Sequence, residues 1–343
     1  MGHKIHILSS KQIEMRTVLV IGSTGQLGFQ IVEKLLASGL YKVRALRRLD
    51  SDVTALEKME GLELATGDLA DPLSLQSALR GVDVVISTAN PAIPRSSSDS
   101  FENSVTGHGH LIRLAEEAGV QRFIFTSVVS LGPQEDKVPL IHSKRRIEEM
   151  ITGSGLDYTI LRAAAFMDIH FAFMGSDLPL RGTVVSSIRR PWKFMNSFFE
   201  GVRRQIPDKG IIGITGKGMR PASYICIDDV AEFHIRSIQH PAASFHTLDI
   251  GGPEALTELD IKTIFEEIYQ KPLRIKSTPP FVLKSIASVM KLFNPNAANI
   301  LMMQYTASQV DTSVPEAMKV AGEFGIKLTT ARQFLLNKSA LKA

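Results

Sequence analysis

Cysteine is nearly absent. The one residue, Cys226 in 343, excludes a disulfide framework and a cysteine-built metal centre and fits a reducing compartment. No run of about 18 apolar residues occurs, so no transmembrane helix is expected. The opening MGHKIHILSSKQIE (1–14) lacks the apolar stretch of a signal peptide, and His6 stands where a myristoylation motif needs Ser or Thr. A cytoplasmic protein is expected. Charge of either sign is not in large excess, with 39 Lys and Arg against 35 Asp and Glu. The small basic surplus is clustered at Arg44 to Arg48, Lys144 to Arg146, Arg189 to Lys193 and Arg203-Arg204. Solvated faces account for most such runs and an anionic ligand for one or two. No nucleic-acid partner is expected. Repeats of fixed period are missing, and RSSSDS (95–100) is the sole low-complexity tract.

What is present is an alternation of short apolar runs and helical spacings. TVLVIG (17–22), YKVRALRR (41–48), LELATGD (62–68), DVVISTA (83–89), RFIFTS (122–127) and DYTILR (157–162) read as strands. Helices are predicted after the first, from Asp71-Pro72 to about Arg80, over 101–118 and near 143–153. Asp71 before Pro72 suits a capped start. Near-continuous apolar strands alternating with helices imply an α/β fold, a doubly wound parallel sheet covered on both faces. Its ligand crevice falls at the carboxyl ends of the strands. This domain spans 15–165 after an N-terminal extension, 1–14. Beyond it the alternation weakens, and 223–252 is expected to return to the sheet, with strand and helix in YICIDDVAEFHIRSIQHP and a strand in FHTLDIGG (245–252). Segments 166–222 and 253–343 form a smaller, interleaved C-terminal substrate lobe, with helices near 257–269 and 280–293.

VIGSTGQLG supplies Gly22, Gly25 and Gly28 between the first strand and first helix, with Ser23, Thr24, Gln26 and Leu27 between them. A tight turn, close backbone approach to a diphosphate and close helix–strand packing all need glycine there, and the helix start offers free N–H groups. At this junction the triplet points to dinucleotide binding. The second strand ends in Arg47 and Arg48 with no acid until Asp50. Guanidinium matches a 2′-phosphate, so NADPH is favoured over NADH.

The G-x-x-G-x-x-G spacing, with VRALRR, TGDLADPLSL, GVDVVISTA, AGVQRFIFTSVVS, GLDYTILRAAAFMD and more loosely IDDVAEFH (227–234), resembles the NmrA-like group of atypical short-chain dehydrogenases/reductases. The resemblance implies that Asp68 and Leu69 border the adenine, that Thr88 and Ala89 line the nicotinamide side, and that Lys144 grips the ribose. The usual Tyr-x-x-x-Lys is broken, because Leu140 stands at the tyrosine position. In similar reductases lacking that tyrosine the lysine itself is thought to act as acid or base, which requires a depressed pKa. Lys144 is therefore either catalytic or only orienting. The family's serine is Ser127 or Ser130, with Ser127 taken as candidate. His142 and Tyr158 are possible substitute acids in positions commoner for surface or packing roles. The implied function is an NADPH-dependent reductase of a small or medium hydrophobic carbonyl, enone or quinone. The alternative is a non-catalytic NADP(H)-binding regulator or assembly factor.

Other patterns carry less. GITGKG (213–218) lacks the first glycine and the final Ser or Thr of a triphosphate loop. GHGH (107–110) has no neighbouring ligands for a metal. RRPWKFMNSFF (189–199) reads as a lid over a bulky substrate, a patch for a membrane or partner, or a packed helix. FVLKSIASVMKLFNPNAANILMM (281–303) carries lysines and a Pro-Asn break, and is expected in core and lobe interface rather than as a membrane anchor.

Overall fold

Val18, Leu19, Val20 and Ile21 are all buried in strand β1 (Thr17–Ile21), as a strand covered on both faces must be. The computed structural model describes residues 15–92, 99–188, 196 and 200–341. Segment 189–199, read as a lid, a patch or a packed helix, therefore lies, apart from Asn196, outside the described residues, as do 1–14 and most of RSSSDS. From β1 the chain turns into helix α1 (Gln26–Ser38), then β2 (Lys42–Arg47), β3 (Leu62–Thr66), α2 (Pro72–Ala78) and β4 (Val84–Ser87). Helix α3 (Phe101–Glu117), β5 (Arg122–Val128), α4 (Pro139–Thr152) and β6 (Tyr158–Ala163) follow. Asp71 caps α2 as expected, accepting from Leu73 N–H at 3.1 Å.

These strands and β10 (His246–Ile250) make one seven-stranded sheet in the order β10-β6-β5-β4-β1-β2-β3. Every pairing in it is parallel. The order reverses between β1 and β4. That switch point leaves a crevice at their carboxyl ends, beside Gly22 and Thr88. Alternation along β1 splits the core: Val18 and Val20 face α1 and the helix Ile227–Ser237, while Leu19 and Ile21 face α2, α3 and α4.

The returning segment only partly joins this sheet. Strand β9 (Ala222–Ile225) pairs instead with β7 (Ala165–Phe166) and β11 (Ala255–Leu256) in a small separate sheet. Two further strands, β8 (Ile211–Thr215) and β12 (Arg274–Thr278), pair with each other. The later lobe has its own apolar cluster, built around Phe171, Ile206, Ile212, Phe265 and Phe334. Its helices include Glu258–Tyr269, started by a capping box of Thr257 and Asp260.

His234, fully buried on Ile227–Ser237, ties that helix to β5. Its Nδ1 lies 2.8 Å from Val230 O, so Nδ1 carries the proton, and Nε2 accepts from Thr126 Oγ1 at 2.8 Å. Burial holds its pKa down to about 4, so the imidazole is neutral. Replacing it leaves the Thr126 hydroxyl unpaired in the core. His234→Phe is expected to destabilise the fold at pH 7 by about 1–3 kcal/mol in urea unfolding. The deficit should narrow as pH falls from 6.5 toward 4, where the parent alone must keep an imidazole neutral that the unfolded chain protonates.

Candidate functional site

The crevice is lined first by glycine. At Gly22 the backbone turns with φ +84°, and a Cβ there would stand 2.6 Å from Thr88 Oγ1 and 2.9 Å from Ala89 N. A Cβ on Gly28 would meet Gly22 O at 2.3 Å. Close approach therefore demands glycine twice, for the loop after β4 and for α1 packing on its own turn. Gly25 is the N-cap of α1, which has no side-chain cap and no acidic residue in its first turn. The helix start thus keeps its donors and its dipole for an anion. A diphosphate fits this cradle.

The side chains between the glycines divide. Ser23 is fully buried and donates to Leu46 O at 2.7 Å, fastening the turn to the end of β2. Leu27 packs into the core beneath. Thr24 and Gln26 are half-buried at the rim, and Gln26 Nε2 is shielded from water with no protein partner among the described residues. Thr88 Oγ1 donates to Ile21 O at 3.1 Å and so stitches β4 to β1.

The two arginines are not equivalent. Arg48 is held by Asp99 at 2.5 Å, with Asp50 at 3.9 Å. Arg47 makes one long contact, from Nη1 to Leu49 O at 3.5 Å, and its buried Nε has no partner among the described residues. Asp68 follows β3, where its Oδ1 accepts from Ala70 N–H at 2.9 Å, and Leu69 lies against the α3 side of the core. Arg47, more than Arg48, is equipped to meet an additional anion.

Lys144 sits in the second turn of α4, 3% exposed. Its Nζ donates to Thr126 O at 2.9 Å and to Ala89 O at 3.3 Å, and stands 4.3 Å over the Phe125 ring. Ala89 thereby joins the glycine corner to the amine. Burial pushes the Lys144 pKa down to about 7, opposed by the Glu148 carboxylate. The adjacent Arg145 and Arg146 do not cause the shift. Arg145 pairs with Glu135 and Glu148, and Arg146 with Glu102.

His108, read from sequence only as an unsuitable metal ligand, lies fully buried on the α3 side of Phe125. Its Nδ1 is 2.7 Å from Ser104 O, so Nε2 accepts from Ser87 Oγ at 3.0 Å. Burial, reinforced by Lys144, holds its pKa down to about 3. It is a neutral wall of the lysine pocket.

Ser127 is committed elsewhere: its hydroxyl donates to Glu148, which also binds Arg145 and Arg162. Ser130 donates to Glu135 at 2.8 Å. Lys144 and Glu148 are four residues apart and share the inner face of α4. Among the other acids considered, His142 is exposed, and Tyr158 packs edge-on against Phe245 at 5.7 Å at the far end of β6. Leu140 is buried, with its N–H donating to Asn299 Oδ1 at 2.9 Å.

Sheet order, switch point and glycine corner together define a doubly wound α/β protein with a glycine-lined crevice. The chain belongs to the NmrA-like family, which it matches over residues 14–330. It is 27% identical over 326 residues to the photosystem II assembly factor Ycf39 of Synechocystis sp., spanning 93% of this chain and 89% of that protein. It is 25% identical over 307 residues to pinoresinol reductase 1 of Arabidopsis thaliana, spanning 85% and 86%. Its fold is similar to that of the Escherichia coli NADPH-dependent quinone oxidoreductase QOR2 complexed with NADPH, with a TM-score of 0.67 at 19% identity over 93% and 99% of the two chains.

The buried amine has a stability signature. Its folded pKa lies near 7 against an ordinary 10.5, so the unfolded chain binds the extra proton between those values. Lys144→Met should therefore gain stability relative to the parent as pH falls from 10.5 toward 7. The gain should reach at most about 5 kcal/mol, less what the two abandoned carbonyls cost, and level off below. A flat difference across that range in urea unfolding would contradict the buried placement.

Proposed function

We propose that this protein is an NADPH-dependent reductase of a small or medium hydrophobic carbonyl, enone or quinone, with Lys144 as its acid. The reading rests on one observation: a solvent-excluded amine, brought down to about 7 by burial, is hydrogen-bonded to the same Ala89 segment that closes against the glycine corner. Gly22 to Gly28 would hold the diphosphate, Arg47 the 2′-phosphate, and Thr88 and Ala89 the nicotinamide side. Reduced nicotinamide, when bound, supplies the hydride. Lys144 supplies the proton, giving it to oxygen as negative charge develops there, because at neutral pH burial already favours the neutral amine. Ser127 supports the site through Glu148 rather than touching the reacting atoms.

A second reading, an NADP(H)-binding assembly or regulatory factor, draws on the committed hydroxyls of Ser127 and Ser130, on Leu140, and on the similarity to a protein named as an assembly factor. NADPH oxidation against quinones, enones and aldehydes separates the two. The reductase reading expects turnover that declines as pH rises above about 7, and a loss of about a hundredfold or more in kcat for Lys144→Met with NADPH affinity little changed. Tight NADPH binding without turnover anywhere on the panel would leave the second reading standing.

Coenzyme choice has its own check. Fluorescence titration should show NADPH ahead of NADH, and Arg47→Ala should weaken NADPH about 10–100-fold while sparing NADH, since a charge-assisted pair is removed. Equal affinities in the parent protein would refute the assignment of Arg47.

A further inference from the structure

The segment expected in the core, 281–303, is core on one side only. Helices Pro280–Met290 and Pro295–Ala307 form a hairpin. Leu283 and Ala287 face inward, and Met302, Met303 and Ala307 pack on Leu131, Val138 and Ile141. The outer side has no cover. Phe281, Ile286 and Val289 are exposed, and Leu292 and Phe293, at the turn, are 80% exposed each. Such a cluster on one protruding element exceeds the scattered apolar exposure of ordinary surfaces.

The electrostatics have one sign. Residues 268–310 contain no Asp or Glu but five cations, Lys271, Arg274, Lys276, Lys284 and Lys291. Lys284 and Lys291 are both exposed. Their seven-residue spacing puts them together on one flank of the stripe formed by Phe281, Val289 and Leu292. Lys284 Nζ lies 5.5 Å over the Tyr305 ring, and neither lysine meets a carboxylate among the described residues.

We propose that this hairpin seats the protein on an anionic lipid bilayer, with Leu292 and Phe293 entering the boundary between headgroups and acyl chains and the lysines meeting lipid phosphates. A folded acidic partner would need a hollow shaped to the protruding turn. A fluid bilayer accepts it without shape matching, while long cationic side chains reach back to the headgroups. No described helix is long and apolar enough to cross a membrane, so the contact is peripheral. The second helix holds the start of α4 through Asn299 and Leu140. The seat therefore adjoins the candidate site, though the proposal stands without the reductase reading.

Vesicle co-sedimentation of the full chain tests it, using phosphatidylcholine alone or with about one-third phosphatidylglycerol. Binding is expected on the anionic vesicles, reduced by high salt. It should fall at least about tenfold in Leu292→Asp/Phe293→Asp and in Lys284→Glu/Lys291→Glu, with thermal melting confirming that each variant is folded. In Phe293→Trp, which leaves the charge intact, indole emission should shift to the blue on adding anionic vesicles. Absence of binding, binding untouched by both double variants, or emission that stays put would overturn the proposal. Capture of an acidic protein without vesicle binding would overturn it as well.

Discussion

Everything at the crevice depends on how closely α1 lies on the turn that precedes it. With hydrogen in place of a methyl at Gly28, the helix settles against Gly22 O, and Gly22 in turn leaves room for Thr88 and Ala89. The carbonyl of Ala89 is then where the Lys144 amine finds it, and Thr126, the amine's other acceptor, is fixed from the opposite face of the sheet by His234. The glycine corner and the buried amine are thus two ends of one set of short contacts. A side chain added at the corner would shift both.

The energetics of that amine decide its chemistry. Two carbonyl bonds at about 1 kcal/mol each and a ring contact of similar size do not offset the several kcal/mol needed to take an ammonium out of water. The deficit appears as a lowered pKa. One turn further along α4 the opposite solution is used. Glu148 is also buried, yet two guanidiniums and the Ser127 hydroxyl surround it. That network fixes α4 against β5 and β6 and holds the lysine in register with its two carbonyls.

How much of this was legible in the sequence follows from how local each feature is. The strands of the sheet, the glycine turn and the Asp71-Pro72 start were readable because period, turn chemistry and capping act within a few residues. The commitments of single side chains were not. Ser127 finds Glu148 and Ser87 finds His108 across 21 residues, and Arg48 finds Asp99 across 51. No spacing rule reaches that far, so a tethered serine and a paired arginine look the same in a string as free ones. The segment 281–303 shows another limit. Its composition gives the amount of apolar surface but not which part finds a partner, and only packing reveals that Leu283 faces inward while Phe281, two residues away, does not.

Leu140 looks at first like a lost catalytic group. In the fold it stands one helical turn before Lys144 on the same face, 3% exposed, with its amide tied to Asn299 on the hairpin. A tyrosine there would bring a hydroxyl that needs a partner in this buried position. An aliphatic residue needs none. Exclusion of water is what lowers the pKa of Lys144. The titratable group on this face of α4 is therefore a lysine shaped by its surroundings, and that is the feature the proposed reductase reading uses. The hairpin that holds the Leu140 amide is also the one that carries the exposed apolar turn.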